Sequence, residues 1–418
     1  MREMKDSGIE WIGDIPVSWK IMPNKYLMRK EKKICPVYHG EDILSLTMKG
    51  VIVRDLDAGG KMPTSFDGYQ RLGAGNLLMC LFDIDVTPRC VGLIKQAGVS
   101  SPAYSQFVLR KGADAAYYCY YYTMLDNDKT LLHLAKNLRH SLTEDQLGAI
   151  PVIVPPIEEQ QRIADFLDTK CAEIDALTAD IQTQIDTLEQ YKRSVITETV
   201  TKGLNPDAEM KDSGIEWIGV IPAHWSIHPV YTYFGERKNK NSFGREDNLL
   251  SLSYGRVIRK DINTSDGLLP ESFNTYNIVE AGDIIIRPTD LQNDKRSLRT
   301  GLVKEHGIIT SAYIDLYPLK KVDSRYFHFL LHAYDTMKVF YNMGNGVRQG
   351  LNYSEFSRLM VFEPPYTEQI AMADYLKAKV EEVDAVISDK KAQLATLDEY
   401  KKSLIFEYVT GKKEVSVS

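Results

Sequence analysis

The sequence predicts an α+β protein made of two similar halves, each a mixed α/β domain followed by one long helix. Two observations predict this arrangement. The segments 155–204 and 364–412 align without a gap at an offset of 209 residues, and each opens with a Pro-Pro pair. The segments MKDSGIEWIGDIPVSW (4–19) and MKDSGIEWIGVIPAHW (210–225) repeat at an offset of 206 residues. Repeats of this length indicate duplicated structural units, so we expect a pseudo-twofold arrangement.

Both 155–204 and 364–412 have the pattern of one uninterrupted helix. A Pro-Pro pair suits a helix start, and acidic residues follow it in the first turn. Apolar residues then recur at alternating spacings of three and four, which is a heptad seam. The seam consists of Leu167, Cys171, Ile174, Ile181, Ile185, Leu188 and Val195 in the first segment, and Leu376, Val380, Val383, Ile387, Leu394, Leu397 and Leu404 in the second. It is interrupted at Thr178, Lys192, Lys390 and Lys401. We expect the two helices to bury this stripe on each other; the alternative is that each packs on a globular core.

The rest of each half predicts a globular domain with short strands. Leucine-rich and β-branched stretches next to glycines recur in both halves, for example ILSLT at 43–47 with LLSLS at 249–253, and AGNLLM at 74–79 with AGDIII at 281–286. Two additional residues of the second half fall between Asp290 and Gly301, where we expect a surface loop. The predicted domains are 1–154 and 205–363, the first long helix is 155–204, and the second helix with its tail is 364–418.

An apolar helix is predicted at 114–125 and again at 323–334. Five tyrosines of the first helix match Tyr, Phe, Phe, Leu and Leu in the second. Only apolar bulk is common to the two sets, which favours core packing over base stacking.

Composition and charge exclude several classes of protein. The chain has no run of eighteen apolar residues and no apolar signal segment near its first residue. Its five cysteines form no CxxC pair, which argues against a disulfide framework or a structural zinc site and favours the cytoplasm. The net charge is −6, but the two long helices carry −6 and −3. The remaining residues are therefore at +3, which permits nucleic-acid binding by the globular domains.

The common catalytic motifs are absent from the sequence. There is no GxxxxGK[ST] loop for nucleotide hydrolysis, no HExxH zinc motif, and no strand–GxGxxG–helix unit for a dinucleotide or a methyl donor. Glu363-Pro364-Pro365-Tyr366 is similar to the (N/D)PPY tetrapeptide of amino-methyltransferases, in which the tyrosine stacks on a flipped base. Its first residue is Glu, however, and the equivalent segment of the first half is Val154-Pro155-Pro156-Ile157. We therefore interpret both segments as helix starts.

Taken together, these motifs resemble the specificity subunit of type I restriction–modification enzymes. The resemblance rests on KDSGIEWIG with IP..W at the start of each half, on SPAY at 101–104 and TSAY at 310–313, and on PP..EQ before each long helix. Arg139 and Arg348, which align in an R..L stretch, belong to the same set. The resemblance covers essentially the whole chain.

The resemblance implies that this chain has no catalytic activity of its own. It implies two target-recognition domains, each reading one half of a split DNA site, and two long helices that pair antiparallel as a spacer. Two modification subunits would bind the chain and methylate adenine with S-adenosylmethionine. Restriction subunits would join them and cleave DNA with ATP and magnesium. No cofactor or metal is then expected in this chain.

The contact residues do not follow from the resemblance, so they are argued from chemistry. Reading base edges in the major groove requires Arg or Lys for guanine and Asn or Gln for adenine, with further cations for phosphates. These residue types cluster in the predicted loops. The candidates are Lys49, Arg54, Arg89, Lys95, Gln96, Arg256, Arg259, Lys260, Arg287, Gln292, Asn293, Lys295, Arg296, Arg299 and Arg348. Two other functions stay open: a self-sufficient DNA amino-methyltransferase that uses Tyr366, and a coiled-coil scaffold that does not bind DNA.

Overall fold

The computed structural model describes residues 2–57, 63–135, 140–263, 272–289, 291, 298–339, 343 and 350–416. It divides into two compact units. The first combines Met1–Ile181 with Ala392–Ser418, and the second is Gln182–Lys391. Each unit therefore contains one globular part and a segment of each long helix. This division crosses the predicted domain boundaries without testing them.

The globular part of the first unit consists of short antiparallel strands and two helices. Its elements are β1 (Met4–Asp6), β2 (Asp14–Pro16), β3 (Lys20–Pro23), β4 (Met28–Glu31), β5 (Leu44–Thr47), β6 (Gly50–Val53), β7 (Gln70–Leu72), β8 (Leu77–Met79), β9 (Val91–Leu93), β10 (Gly98–Ser100), β11 (Ser105–Leu109), α1 (Ala115–Asn127), α2 (Glu144–Ala149) and β12 (Pro151–Val154). The main sheet has the order β4–β11–β8–β9, and the other strands form two-stranded pairs. The first long helix, α3 (Ile157–Lys202), follows directly.

The second unit repeats this plan. Its elements are β13 (Met210–Asp212), β14 (Val220–Pro222), β15 (Ser226–Pro229), β16 (Phe234–Glu236), β17 (Leu250–Ser253), β18 (Arg256–Arg259), β19 (Asn277–Val279), β20 (Ile284–Ile286), β21 (Thr300–Leu302), β22 (Gly307–Ile309), β23 (Ile314–Pro318), α4 (Ser324–Thr336), α5 (Tyr353–Phe356) and β24 (Met360–Glu363). Its main sheet, β16–β23–β20–β21, has the strand order of the first. The second long helix is α6 (Tyr366–Val409). The predicted α+β class is confirmed.

The two long helices pack together along the predicted seam. In the first unit the ring centroids of Phe166 and Tyr408 lie 4.4 Å apart, and Lys401 donates to Asp175 (2.6 Å). In the second unit Lys192 donates to Asp384 (2.8 Å). The contacts move down α6 as they move up α3, so the helices run antiparallel within each unit. No helix among the described residues is both long and apolar enough to cross a membrane.

The lysines that interrupt the seam each have a polar partner on the other helix. Lys401 contacts Asp175 and Lys192 contacts Asp384, while Lys390 donates to the side-chain oxygen of Gln184. A polar residue at a seam position favours the one alignment in which it finds its partner. These lysines therefore help to specify the register in which α3 and α6 pair.

A glutamate–glutamine pair joins each long helix to its globular part. In the first unit Glu159 accepts a hydrogen bond from the indole N–H of Trp19 (2.9 Å). The neighbouring Gln160 is buried; it accepts from the backbone N–H of Asp114 (2.8 Å) and donates to the carbonyl of Pro155 (2.8 Å). Asp114 is the N-cap of α1, so one side chain ties the starts of two helices together.

The second unit has the same junction. Glu368 accepts from the indole N–H of Trp225 (3.0 Å), and Gln369 accepts from the backbone N–H of Asp323 (3.0 Å). Asp323 is the N-cap of α4. The repeated motifs PP..EQ and IP..W therefore have a structural role, because they set the direction in which each long helix leaves its sheet.

Each long helix ends against the tryptophan of a junction. Gly411 follows α6 with φ of +73°, and a β-carbon there would lie 2.7 Å from the Trp19 ring. Gly203 follows α3 with φ of +77°, and its β-carbon would lie 3.3 Å from the Trp225 ring. Glycine suits both the left-handed backbone and the close approach. Each tryptophan thus contacts the start of one long helix and the end of the other.

Four of the five tyrosines of α1 are core residues, as the sequence comparison of the two halves predicts, whereas Tyr120 is half-buried and donates to Asp168 (2.7 Å). Tyr117, Tyr118, Tyr121 and Tyr122 have no exposed surface. Their hydroxyls find partners inside the core, since Tyr117 donates to the carbonyl of Val409 (2.7 Å) and Tyr118 to that of Ile153 (3.0 Å). Burial raises the pKa of Tyr121 and its neighbours, so all of them stay neutral.

The two sheets differ in one buried polar cluster. In the second unit Arg237 donates to both carboxylate oxygens of Asp283 (2.8 and 3.0 Å). Its Nε lies 3.7 Å from Asp315, which receives no hydrogen bond from any described residue. In the first unit the equivalent strand positions hold the neutral pair Asn76 and Gln106, which hydrogen-bond each other (3.1 Å). Burial, with the nearby carboxylate of Asp283, raises the pKa of Asp315 to about 8.

This pKa makes the second unit less stable as the pH rises. Asp315 is protonated in the folded state at neutral pH but ionised when the chain unfolds, so folding stability falls between the ordinary pKa near 3.8 and about 8. We expect the free energy of opening of β20 and β23 to fall by about 1–2 kcal/mol from pH 6.5 to 8. Asp315→Asn should abolish this dependence. Peptide-resolved hydrogen exchange, corrected for intrinsic rates, measures it, with β8 and β11 as an internal control. An identical pH dependence in wild type and Asp315→Asn would contradict the assignment.

Candidate nucleic-acid interface

A β-hairpin lies close against the main sheet in each unit. The hairpin β5–β6 covers β9 in the first unit, and β17–β18 covers β21 in the second. Glycines make this approach possible: a β-carbon on Gly92 would lie 2.8 Å from the side chain of Leu46, and one on Gly301 would lie 2.5 Å from that of Leu252. Larger residues at these positions would push the hairpins outward. Glycine occupies the equivalent position in both units, which indicates that both hairpins have to pack closely against their sheets.

The hairpin tips present different residues to solvent. In the first unit the turn holds Met48, which is 60% exposed, and Lys49. In the second unit it holds Tyr254, which is 84% exposed and has φ of +46°. An exposed aromatic side chain on left-handed backbone is unfavourable without a partner, so such positions often belong to binding sites. Gly255 beside it packs on Leu298, at the end of the 287–299 segment.

The first tip and the loop after β8 enclose a cavity of about 360 Å³. Its walls combine apolar surface with hydroxyl groups and one arginine: Leu46, Thr47, Met48, Cys80, Phe82, Thr87, Pro88, Arg89 and Tyr104. The rings of Phe82 and Tyr104 are stacked, with centroids 6.2 Å apart. Burial raises the pKa of Tyr104, so its hydroxyl remains protonated and able to donate at neutral pH. The cavity thus offers methyl, aromatic and hydroxyl contacts in one place.

A buried aspartate at the end of α1 or α4 anchors the candidate loop of each unit. Asp126 accepts from the backbone N–H of Cys90 (2.9 Å), and Asp335 accepts from that of Arg299 (2.6 Å). Cys90 and Arg299 occupy equivalent places, directly before β9 and β21. Both loops therefore end at a fixed point, although their sequences differ.

Two predicted contact residues are part of these anchors. Arg299 is fully buried, and its guanidinium donates to the carbonyl of Thr289. Arg89 donates to Asn127 (3.0 Å) and lies 3.5 Å from Asp126. Arg299 in this position cannot reach an external ligand, so the sequence-based expectation that it contacts DNA does not fit its burial. Its residue type is suited to DNA, but its side chain braces the loop from inside. Arg89 faces the cavity while serving as an anchor.

The other described candidates lie on the outer surface around the hairpins. Exposed side chains belong to Lys49, Lys95, Gln96, Arg256, Arg259 and Lys260, and half-buried ones to Arg54 and Arg287. Some already have partners: Gln96 donates to Asp42 (2.6 Å), Arg259 to Glu305 (2.8 Å), and Arg256 to Asp384. Exposed ion pairs and hydrogen bonds of this kind contribute little to stability. These side chains can therefore leave their present partners and bind a ligand instead.

Five candidates lie outside the described residues: Gln292, Asn293, Lys295, Arg296 and Arg348. Arg139, one of the residues on which the family resemblance rests, also lies outside them. The five DNA contacts stay predictions.

Sequence reasoning missed the apolar part of this surface. Met48, Phe82, Tyr104 and Tyr254 are apolar or aromatic, whereas base-edge chemistry points first to cations and amides. Tyr104 belongs to the repeated SPAY segment, and Met48 and Tyr254 occupy the same hairpin turn at an offset of 206 residues. The repeat itself could have found them, since surface residues at equivalent turns differ while the surrounding strands match.

The segment Glu363-Pro364-Pro365-Tyr366 makes structural contacts that differ from those of a methyltransferase motif. Glu363 accepts hydrogen bonds from the hydroxyls of Tyr233 (2.9 Å) and Ser226 (3.2 Å). Tyr366 is the first residue of α6, and the ammonium group of Lys321 lies 4.8 Å from its ring. Both side chains have structural partners, which agrees with interpreting the segment as a helix start. No cluster of three potential metal ligands occurs among the described residues.

Comparison with known proteins points to one family. The profile described as "Type I restriction modification DNA specificity domain" matches residues 91–187. Two proteins of Methanocaldococcus jannaschii are similar in sequence. The putative type I restriction enzyme MjaX specificity subunit is 26% identical over 66% of this chain and 62% of its own length. The type I restriction enzyme MjaVIII specificity subunit is 24% identical over 64% of this chain and 63% of its own. The match thus spans less than two thirds of either relative.

Solved structures share the fold over nearly the whole chain. One comes from work on the structural basis of complex assembly and conformational transition of the type I R-M system. It is 12% identical with a TM-score of 0.69, over 96% of this chain and 99% of its own. The HsdS subunit from Thermoanaerobacter tengcongensis is 13% identical with a TM-score of 0.50, over 96% of this chain and 98% of its own. At these identities the likeness concerns the fold: two β-rich domains with two long helices packed together.

The aspartate anchors lead to a test that is local to each unit. Asp335→Ala removes the acceptor of the Arg299 N–H and should cost about 1–3 kcal/mol of local stability, because a buried donor is left without a partner. Hydrogen exchange of peptides covering 298–302 should accelerate by about 5- to 150-fold, which is the same range expressed as a rate. Asp335→Asn keeps an acceptor oxygen and should retain most of the protection. The matched variant Asp126→Ala should accelerate exchange at 90–93 only. Unchanged exchange at 298–302 in Asp335→Ala would show that the anchor is not needed.

Proposed function

We propose that the chain is a specificity subunit of the type I restriction–modification family and that it recognises a bipartite DNA site for such an enzyme. Residues 1–154 and 205–363 each read one half of the site. The chain performs no catalysis. It directs adenine methylation, and cleavage of DNA, by partner subunits to the sites that it selects.

One observation carries this proposal: both units present a hairpin tip at the equivalent place on a common framework, with different exposed residues. The first unit presents Met48, Lys49 and the cavity beside Tyr104, whereas the second presents Tyr254 and Arg256. Two domains that share a backbone and differ at their tips are suited to reading two different half-sites. A scaffold without a ligand would have no need for such variation at equivalent turns.

The residue types on this surface fit base edges and phosphates. We assign base or phosphate contacts to Lys49, Arg54, Lys95 and Gln96 in the first domain and to Arg256, Arg259, Lys260 and Arg287 in the second. Met48, the Thr47 methyl group and Leu46 suit the methyl group of thymine, which is the apolar feature of the major groove. The 292–296 candidates and Arg348 remain part of the proposal. Arg299 is left out, and Arg89 serves as a cavity wall.

The partners and cofactors follow from the family. We propose two modification subunits that hold S-adenosylmethionine and restriction subunits that use ATP and magnesium, in the cytoplasm. This chain itself would hold no cofactor. The alternative of a self-sufficient methyltransferase requires Glu363 and Tyr366 to be free for a flipped base, and both side chains have structural partners.

The division of labour can be tested by reconstitution. The purified chain should neither methylate nor cleave DNA, and methylation should appear only when modification subunits are added. Mapping the methylated adenines in a host that carries the complex should give one bipartite sequence. Tyr366→Ala should leave the methylation rate of the complex unchanged within about twofold. Methyl transfer by the chain alone, abolished in Tyr366→Ala, would favour the methyltransferase alternative instead.

We further propose that the paired helices set the gap between the half-sites. Asp175 faces Lys401 and Lys192 faces Asp384, so the bond after Asp180 lies opposite the bond after Ala395. Seven residues inserted after Asp180 and seven after Ala395 therefore keep both contacts and both seams. Each insertion adds about 10 Å of helix at ~1.5 Å per residue, which corresponds to about three base pairs.

The methylated sites of this variant in a host with its partners are the measurement. We expect the two half-site sequences to stay the same while the gap grows by about three base pairs. Affinity should fall, because three base pairs also rotate one half-site relative to the other. The control is the variant with the first insertion alone, which mismatches the helices and should lose methylation. An unchanged gap in the folded double-insertion variant would rule out the helices as the ruler.

A further inference from the structure

A run of cations extends from β3 through β4 of the first unit and is distinct from the residues assigned to base reading. We refer to it as the basic edge, and it comprises Lys20, Lys25, Arg29, Lys30, Lys32 and Lys33. Between Lys20 and Lys33 the only acidic residue is Glu31. All six cations are exposed, and Tyr26, 57% exposed, lies beneath the ammonium group of Lys25 (5.3 Å). Such a concentration of positive charge is unusual in a chain with a net charge of −6.

Acidic neighbours neutralise little of this charge. Glu31 is shared by Lys33 (3.0 Å) and Arg29 (3.6 Å), and Lys30 lies 3.8 Å from Glu144. Lys20 and Lys32 form no ion pair with any residue that the structure describes. Exposed pairs of this kind hold their members only weakly. The basic edge is therefore available to a larger anionic partner.

Protection of an exposed sheet edge does not account for it. Strand β4 is an edge strand, and lysines on such strands discourage pairing with another chain. The equivalent edge strand of the second unit, β16, carries no cation. Over the matching segment 226–239 the cations are Arg237 and Lys238, and Arg237 is held by Asp283. The edge strand of the second unit is thus stable without these charges. The basic edge is a feature of the first unit alone.

The strand register places the Lys32 end of the basic edge next to the candidate interface. Gln106 of β11 pairs with Glu31 of β4, and Ser105 pairs with Met79 of β8. Lys32, Tyr104 and Cys80 therefore leave the sheet at the same end, and the last two line the cavity. From that end β4 runs for about 13 Å at ~3.3 Å per residue. Duplex DNA carries about one charge per 1.7 Å of its axis, so several phosphates fit along this length.

We propose that the basic edge binds the phosphate backbone of duplex DNA that extends beyond the half-site read by the first domain. This inference rests on the proposed function and adds a contact that is independent of sequence and present on one side of the site only. The contact positions the duplex on the hairpin β5–β6 and the cavity beside it, and the second domain has no counterpart.

The test removes four charges from the basic edge in the complex with its modification subunits. The variant is Lys20→Gln, Lys25→Gln, Lys30→Gln and Lys32→Gln, which keeps Arg29 and Lys33 with their acid. A control of equal charge change is Lys170→Gln, Lys202→Gln, Lys379→Gln and Lys402→Gln on the acidic long helices. Binding to a duplex with the mapped site and to a shuffled duplex is measured at several salt concentrations, together with the footprint.

The basic-edge variant should lose at least tenfold in affinity at low salt, equally for both duplexes. Its plot of log affinity against log salt should become less steep by about 0.9 for each phosphate that the protein no longer neutralises. The footprint should shorten beside the first half-site only. The control variant should behave as the wild type.

Three outcomes would overturn the inference. One is an unchanged affinity and salt slope, or an equal loss of affinity in the control. Another is a loss of affinity confined to the mapped site, which would make these residues base readers. The third is failure to assemble with the modification subunits while assembled complexes bind DNA normally, which would make the basic edge a protein contact. The proposed function is judged separately, by the preference of the wild-type complex for the mapped site over the shuffled duplex.

Discussion

The rest of the structure depends on the junction at which each long helix leaves its globular part. Gln160 and Gln369 are buried amides that join the start of a long helix to the N-cap of a second helix. Beside them, Glu159 and Glu368 hold the tryptophans on which the other long helix ends. A buried amide that loses one of these partners leaves an unsatisfied polar group, which is costly. The direction of each long helix relative to its sheet is therefore tightly constrained, and the seam can pair only because both directions are set.

Duplication left the framework of the two units alike and allowed their polar interiors to diverge. Asp126 and Asp335 hold the same backbone N–H in the two units, yet one belongs to Cys90 and the other to Arg299. A carboxylate that binds backbone tolerates any side chain at the residue that it binds, which lets the loop sequence change while its end stays fixed. The sheets show the same divergence. The first unit has the neutral pair Asn76 and Gln106 at the positions that Asp283 and Asp315 occupy in the second. The second unit has kept a carboxyl group that is easier to bury protonated than ionised.

Charge is unevenly distributed along this chain. The long helices are acidic, and their lysines are largely engaged with partners on the same or the opposite helix. The globular parts carry the exposed cations, on the hairpins and on the basic edge. An acidic helix pair would repel a duplex and the cations would attract it, so this charge distribution supports the proposed DNA binding by the globular parts. The net charge of the whole chain hides this division, because the two contributions have opposite sign.

The sequence alone determined the duplication, the α+β class, the heptad seam and the core position of the tyrosines. These features can be read directly from the sequence, because the repeat offsets reveal the two similar halves and the period of apolar residues reveals the helices that pair. The tertiary structure decided which polar residues reach the surface. Arg299 has the residue type of a DNA contact, but Asp335, 36 residues further along the chain, holds its backbone inside the protein. Likewise Met48 approaches Phe82 and Tyr104, and Lys32 approaches the same end of the sheet, only through strand pairing between distant segments. No local pattern records such pairings, since they depend on how separate strands align and not on the residues next to one another in the chain.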